Sequence, residues 1–112
     1  MYKKIHLITD LMEAVGDTPL YSSKFGLPNA CKDHTWQTIV SASEGKEPTA
    51  LSIKLEGSID GENWFTLDST TNTSGETKYI TDKVVDFVRC KVETLTLPEN
   101  SDAIVNVWYI GK

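Results

Sequence analysis

Three carboxylates, Asp60, Glu62 and Asp68, lie within one short stretch. Glycoside hydrolysis needs two carboxyl groups flanking a cleft, several ångströms apart. Asp60 has another use. Followed by Gly61, it forms the Asp-Gly pair that supplies positive φ in a tight turn, and Glu62 reads as a solvated neighbour. His6 and His34 show no HxH or HExxH spacing, and neither lies near a cysteine, so no zinc set emerges. No GxSxG elbow supports a Ser-His-Asp site. Asp60, Glu62 and Asn63 cluster as calcium ligands do, but their spacing matches no defined loop. Asn72-Thr73-Ser74 satisfies a glycosylation sequon, although no secretory signal accompanies it. The sequence thus predicts no catalytic residue, no metal site, no cofactor and no enzyme.

Cys31 and Cys90 are far apart and lack CxxC spacing. Cys90, between Val88 and Val92, reads as a buried free thiol on the apolar face of a strand. A Cys31–Cys90 bridge is the alternative. His34 reads as a half-exposed residue at the start of a strand. The aromatics Trp36, Trp64 and Trp108, with Tyr21, Tyr79 and Tyr109, could build a sugar platform if their rings were exposed in one plane. Trp64 follows the turn and reads instead as the plug of a core.

The elements that must position these residues are strands. Leu51, Ile53 and Leu55 alternate with Ser52, Lys54 and Glu56, a period of two that buries one face. Asp60-Gly61 turns the chain, and Trp64, Phe65 and Leu67 begin the return. Asp60, Gly61, Asn63 and Trp64 are therefore assigned structural roles in a hairpin. Further strands are read over residues 20–27, 34–42, 76–81, 84–95 and 103–110. In the penultimate one Val84, Val88, Cys90 and Val92 share a parity. In the last, Val105, Val107 and Tyr109 share one face, and Ile104, Trp108 and Ile110 the other. Either the domain covers both faces, or Trp108 meets a partner.

About seven strands with turns between them predict an all-β fold, an antiparallel β-sandwich of jelly-roll or Ig-like type. Residues 17–112 form that domain. Residues 1–16 are read as an arm or a short helix: residues 2–8 as a short strand or an extended arm, then Thr9 or Asp10 capping a turn over Leu11 to Val15 that Gly16 ends.

A length of 112 residues suits one domain. The net charge of −5, with no basic block beyond Lys3-Lys4, argues against nucleic-acid binding. No apolar run reaches the roughly 18 to 20 residues of a membrane span, and the N-terminal apolar stretch is too short for a signal peptide. A cytoplasmic origin, or assembly there into something larger, is expected.

The string Leu55-Glu56-Gly57-Ser58-Ile59-Asp60-Gly61-Glu62-Asn63-Trp64-Phe65-Thr66-Leu67 resembles the "S-x-DG-x-x-W" hairpin of discoidin-type sandwiches. It also resembles a hairpin in a group of small tailed-bacteriophage virion proteins. In that group a polar Thr/Ser/Gly loop follows, then a strand like Val85-Asp86-Phe87-Val88-Arg89-Cys90-Lys91-Val92. A strand like Ile104-Val105-Asn106-Val107-Trp108-Tyr109-Ile110 ends the pattern, and His34-Thr35-Trp36-Gln37 matches its upstream strand. A discoidin domain is longer, with extra N-terminal loops. The phage resemblance implies an accessory structural protein of the virion, such as a capsid decoration, head-fibre base, or neck or tail component, assembled in the host cytoplasm. Its partners would be other virion proteins and further copies of itself. Candidate contacts are Tyr2, Ile5 and Leu7 of the arm, plus Trp108. A carbohydrate-binding β-sandwich module is the rival expectation.

Overall fold

The computed structural model describes residues 3–112 and is all-β. Nine strands run in chain order: β1 Lys3–Leu11, β2 Leu20–Tyr21, β3 Phe25–Cys31, β4 His34–Ser41, β5 Ala50–Ser58, β6 Trp64–Thr70, β7 Gly75–Ile80, β8 Val85–Thr96 and β9 Ile104–Gly111. They form two antiparallel sheets packed as a sandwich. The first has the order β1-β9-β4-β7. The second has the order β2-β8-β5-β6, with β3 also pairing β8.

Two strands exceed the seven expected. One comes from residues 20–27, which divide between β2 and β3. The second is β1, where the sequence leaves a short strand over residues 2–8, an extended arm and a short helical turn open. Lys4 and His6 face out while Ile5 and Leu7 face in, as period two requires. Register shifts after His6 and Ile8 then break the alternation and turn Ile8 inward as well. Asp10, the proposed helix cap, instead takes a positive φ of 47°. Val15 returns to exchange two backbone hydrogen bonds with Leu95, at 3.0 and 2.8 Å. The segment is thus built into the domain. Ile5 and Leu7 are core residues only 4% and 5% exposed, so they offer nothing to a partner. Tyr2 lies outside the described residues.

The core fills the space between the sheets. Leu51, Ile53 and Leu55 of β5 meet Val85, Val88, Cys90, Val92 and Leu95 of β8, and across from them lie Trp36, Val105, Val107 and Tyr109. Each large apolar side chain so buried stabilises the fold by about 1.5–3 kcal/mol. Val84 is exposed and Val85 takes the inward position, because the alternation of β8 slips between Val85 and Val88. Gly57 admits a close approach: a Cβ there would lie 2.8 Å from Val85 and 2.9 Å from Leu67.

Candidate functional site

The carboxylates do not converge. Asp60 Oδ1 accepts the backbone N–H of Glu62 at 2.9 Å and of Asn63 at 2.8 Å, and the Ser58 hydroxyl at 3.0 Å. Asn63 Nδ2 donates to Oδ2 at 2.6 Å. These donors hold the Asp60 carboxyl well below the usual carboxylate range, backbone donors first. Gly61 follows at φ 79°. The cluster is an internally bonded turn. Asp68 lies away on β6, where it accepts Trp36 Nε1–H at 3.1 Å and pairs with Lys78 at 3.2 Å.

His34 is buried, not half-exposed. Its Nε2 lies 2.7 Å from the Lys83 carbonyl, which can only accept, so Nε2 carries the proton. Nδ1 then accepts the Tyr109 hydroxyl at 2.5 Å. Burial lowers the His34 pKa and raises that of Tyr109. His6 sits elsewhere, on the outer face of β1. Both cysteines are buried and free, and burial pushes Cys90 up to about 12. Among the described residues no group of three or more His, Cys, Asp or Glu side chains could hold a metal ion.

The six aromatics fall in three places. Trp36 and Tyr109 are core residues. Trp64 is half-buried and does not plug the sandwich; that position belongs to Trp36, 1% exposed. Trp64 instead flanks the Arg89 guanidinium on the outer face of the second sheet. The guanidinium is 4.3 Å from the Trp64 ring and 4.4 Å from Tyr21, and Nε donates to Glu56 at 2.7 Å. Trp108 and Tyr79 share the outer face of the first sheet.

That face is a lattice set by strand register. One row reads Lys4, Ile110, Thr35, Tyr79, and the next reads His6, Trp108, Gln37, Thr77. A third contains Asn106, Ile39 and Gly75. A groove of about 470 Å³ crosses the rows, bordered by Lys4, Thr35, Gln37, Ile39, Thr77 and Trp108. It continues past Thr35 and Ile110 into a hollow of about 300 Å³ beside Tyr79. Trp108 forms a wall. His6 stacks on the indole with ring centroids 3.8 Å apart and planes 9° apart. His6 Nε2 lies 2.8 Å from Asn106 Oδ1, which also accepts the Asp10 N–H at 2.9 Å. His6 does not border the groove, so it braces the indole from behind. The Lys4 ammonium reaches the ring at 4.4 Å. The described residues therefore leave the outer face of β9 open.

Sequence reasoning reached Trp108 but missed Lys4, Gln37, Thr77 and the bracing His6. Period two assigns each to an outward position, but only pairing of β1, β9, β4 and β7 gathers them.

No family model matches the chain, and no curated protein matches it. Solved structures do. The SPBc2 prophage-derived protein YomS superposes with a TM-score of 0.59 at 16% identity, covering 99% of this chain and 92% of that one. The C-terminal domain of a chitobiase from Bacteroides fragilis gives 0.55 at 15% identity, over 81% of this chain; the match spans only 63% of that chain. A chitosan-binding module from a chitosanase/glucanase of Paenibacillus sp. IK-5 gives 0.52 at 14% identity, over 97% and 75%. At these identities the likeness shows a common β-sandwich fold.

Proposed function

We propose that the protein is a non-enzymatic accessory subunit of a bacteriophage virion, docking on the capsid or on the neck or tail. The observation that carries this reading is the nearly end-to-end match with a prophage-derived protein, over 99% of one chain and 92% of the other. The order of strand motifs seen in the sequence supports it too. The contact falls to the open face around Trp108, since Ile5 and Leu7 belong to the core. An indole held rigid by a stacked neighbour suits an anchor, because it loses little freedom on binding. Copies of the subunit meet one another on the particle.

The test is binding of the purified protein to particles lacking it. Trp108→Ala, with the fold checked by circular dichroism, is expected to abolish occupancy. Full occupancy by that variant would remove the Trp108 face from the docking scheme, and failure of wild type to bind any particle would remove the virion role.

A second reading, a saccharide-binding module, is favoured by one feature. The groove joins an aromatic wall to the hydroxyl and amide groups of Thr35, Gln37 and Thr77. Ligand sites commonly pair apolar walls with a few placed polar groups.

A further inference from the structure

Outward residues of the three rows over the first sheet include no carboxylate. The chain carries a net charge of −5, with 16 acidic residues, yet they are kept off this face. Glu76 points the other way on β7, bonded to the Thr70 hydroxyl. Asp33 enters only beyond the far end, in the hollow beside Tyr79. Asp10 lies at the opposite edge, bonded to the Asn106 amide at 3.2 Å.

Among the described residues Lys4 is the one fixed charge bordering the groove. Several cations elsewhere are paired with carboxylates: Lys54 with Glu93 at 2.6 Å, Lys78 with Asp68 at 3.2 Å, and Arg89 with Glu56 at 2.7 Å. Among the described residues no ion pair engages Lys4. Its ammonium rests over the Trp108 ring, an exposed cation–π contact worth only about 0.5–1 kcal/mol and easily exchanged. Trp108 and Tyr79 stand two strands apart, about 10 Å across the sheet, a span that a short run of sugar rings fills. Between them, Thr35, Gln37 and Thr77 offer donors and acceptors suited to sugar hydroxyls.

We infer that this groove binds an acidic saccharide, with the sugar rings against Trp108 and the acidic group on Lys4. The assignment rests on the saccharide reading above. It gives that site a substrate class: negatively charged glycans, in preference to neutral ones, with amino-sugar polymers repelled by the lysine.

The test is an array of acidic, neutral and amino-sugar glycans. It is probed with wild type, Lys4→Met, Trp108→Ala and, as a control on the other sheet, Tyr21→Ala, each shown to be folded by thermal melting. Wild type is expected to bind acidic glycans, and added salt to weaken the binding. Lys4→Met is expected to lose about tenfold, Trp108→Ala to lose binding altogether, and Tyr21→Ala to match wild type. Hits confined to neutral or amino sugars, or acidic hits indifferent to Lys4→Met, would overturn the charge assignment and leave the saccharide reading standing. No hit in any class with folded wild type would overturn both.

Discussion

Trp36 Nε1 donates to the Asp68 carboxylate at 3.1 Å, tying β4 of one sheet to β6 of the other. The indole is buried, and Lys78 holds the same carboxylate from β7. Asp68→Ala strands a buried indole N–H, which costs about 1–3 kcal/mol. Trp36→Phe loses the donor and some volume together. Urea unfolding of the two single variants and the double is expected to show coupling, because residues in contact do not contribute additively. Strict additivity would mean that this bond does not join the sheets.

The segment that supplies Ile5, Leu7 and Ile8, residues 1–9, is expected to be needed for folding. Deleting them removes Ile5, Leu7 and Ile8 from the core, at about 1.5–3 kcal/mol each. Net stability of a domain is only about 5–15 kcal/mol, so the truncated chain is expected to be largely unfolded by circular dichroism. A cooperative transition at the wild-type temperature would show that β1 adds nothing.

His34 is expected to make stability fall on mild acidification. Its pKa is lowered in the fold by burial. Below about pH 6.5, the ordinary histidine value, the unfolded chain takes up a proton that the folded chain resists, so stability is lost as pH drops. The thermal midpoint is expected to decline between pH 7 and 5, above the carboxylate range in which Asp60 acts. His34→Gln should flatten that segment of the profile. An unchanged slope in this variant would assign it to another group.

Gly61→Ala is expected to destabilise the hairpin by about 1 kcal/mol or more, since φ 79° is left-handed and the added carbon would stand 3.3 Å from Phe87. Thermal melting of this variant beside wild type measures it. Equal midpoints would mean that the turn relaxes.

Cys90 is expected to resist thiol reagents in the native state, because burial pushes its pKa up to about 12 and the thiolate is the reactive form. Both thiols should react in urea without reductant, as neither is bridged. Rapid native labelling at Cys90 would reveal an opening that exposes the core.

The second sheet was the more legible in the sequence. Leu51, Ile53 and Leu55 alternate without interruption over a strand that faces water on one side. In β1 the bulge after His6 spoils the same signal just where Asp10 mimics a helix cap. The inner face of β4 carries His34 and Thr38 on either side of Trp36. Polar neighbours disguised the central indole, and Trp64 took its place in the reading. The groove was less legible still. Trp108 announces itself by a strand apolar on both faces, whereas Lys4 and Thr77 lie more than seventy residues apart in the chain. Only pairing across four strands brings them to one surface.

Sheet completion has an order that matters during translation. The second sheet has all of its strands by residue 96. In the first, β9 is the sole strand paired with β1 among the described residues, and β4 is separated from β1 by that same strand. Until residues 104–111 are made, β1 lacks the strand it pairs with, and the apolar side chains that β9 covers are expected to be open to chaperones or to neighbouring nascent chains. By joining β1 to β4, β9 acts as a keystone, and a chain truncated before residue 104 is expected to leave a sticky half-sandwich.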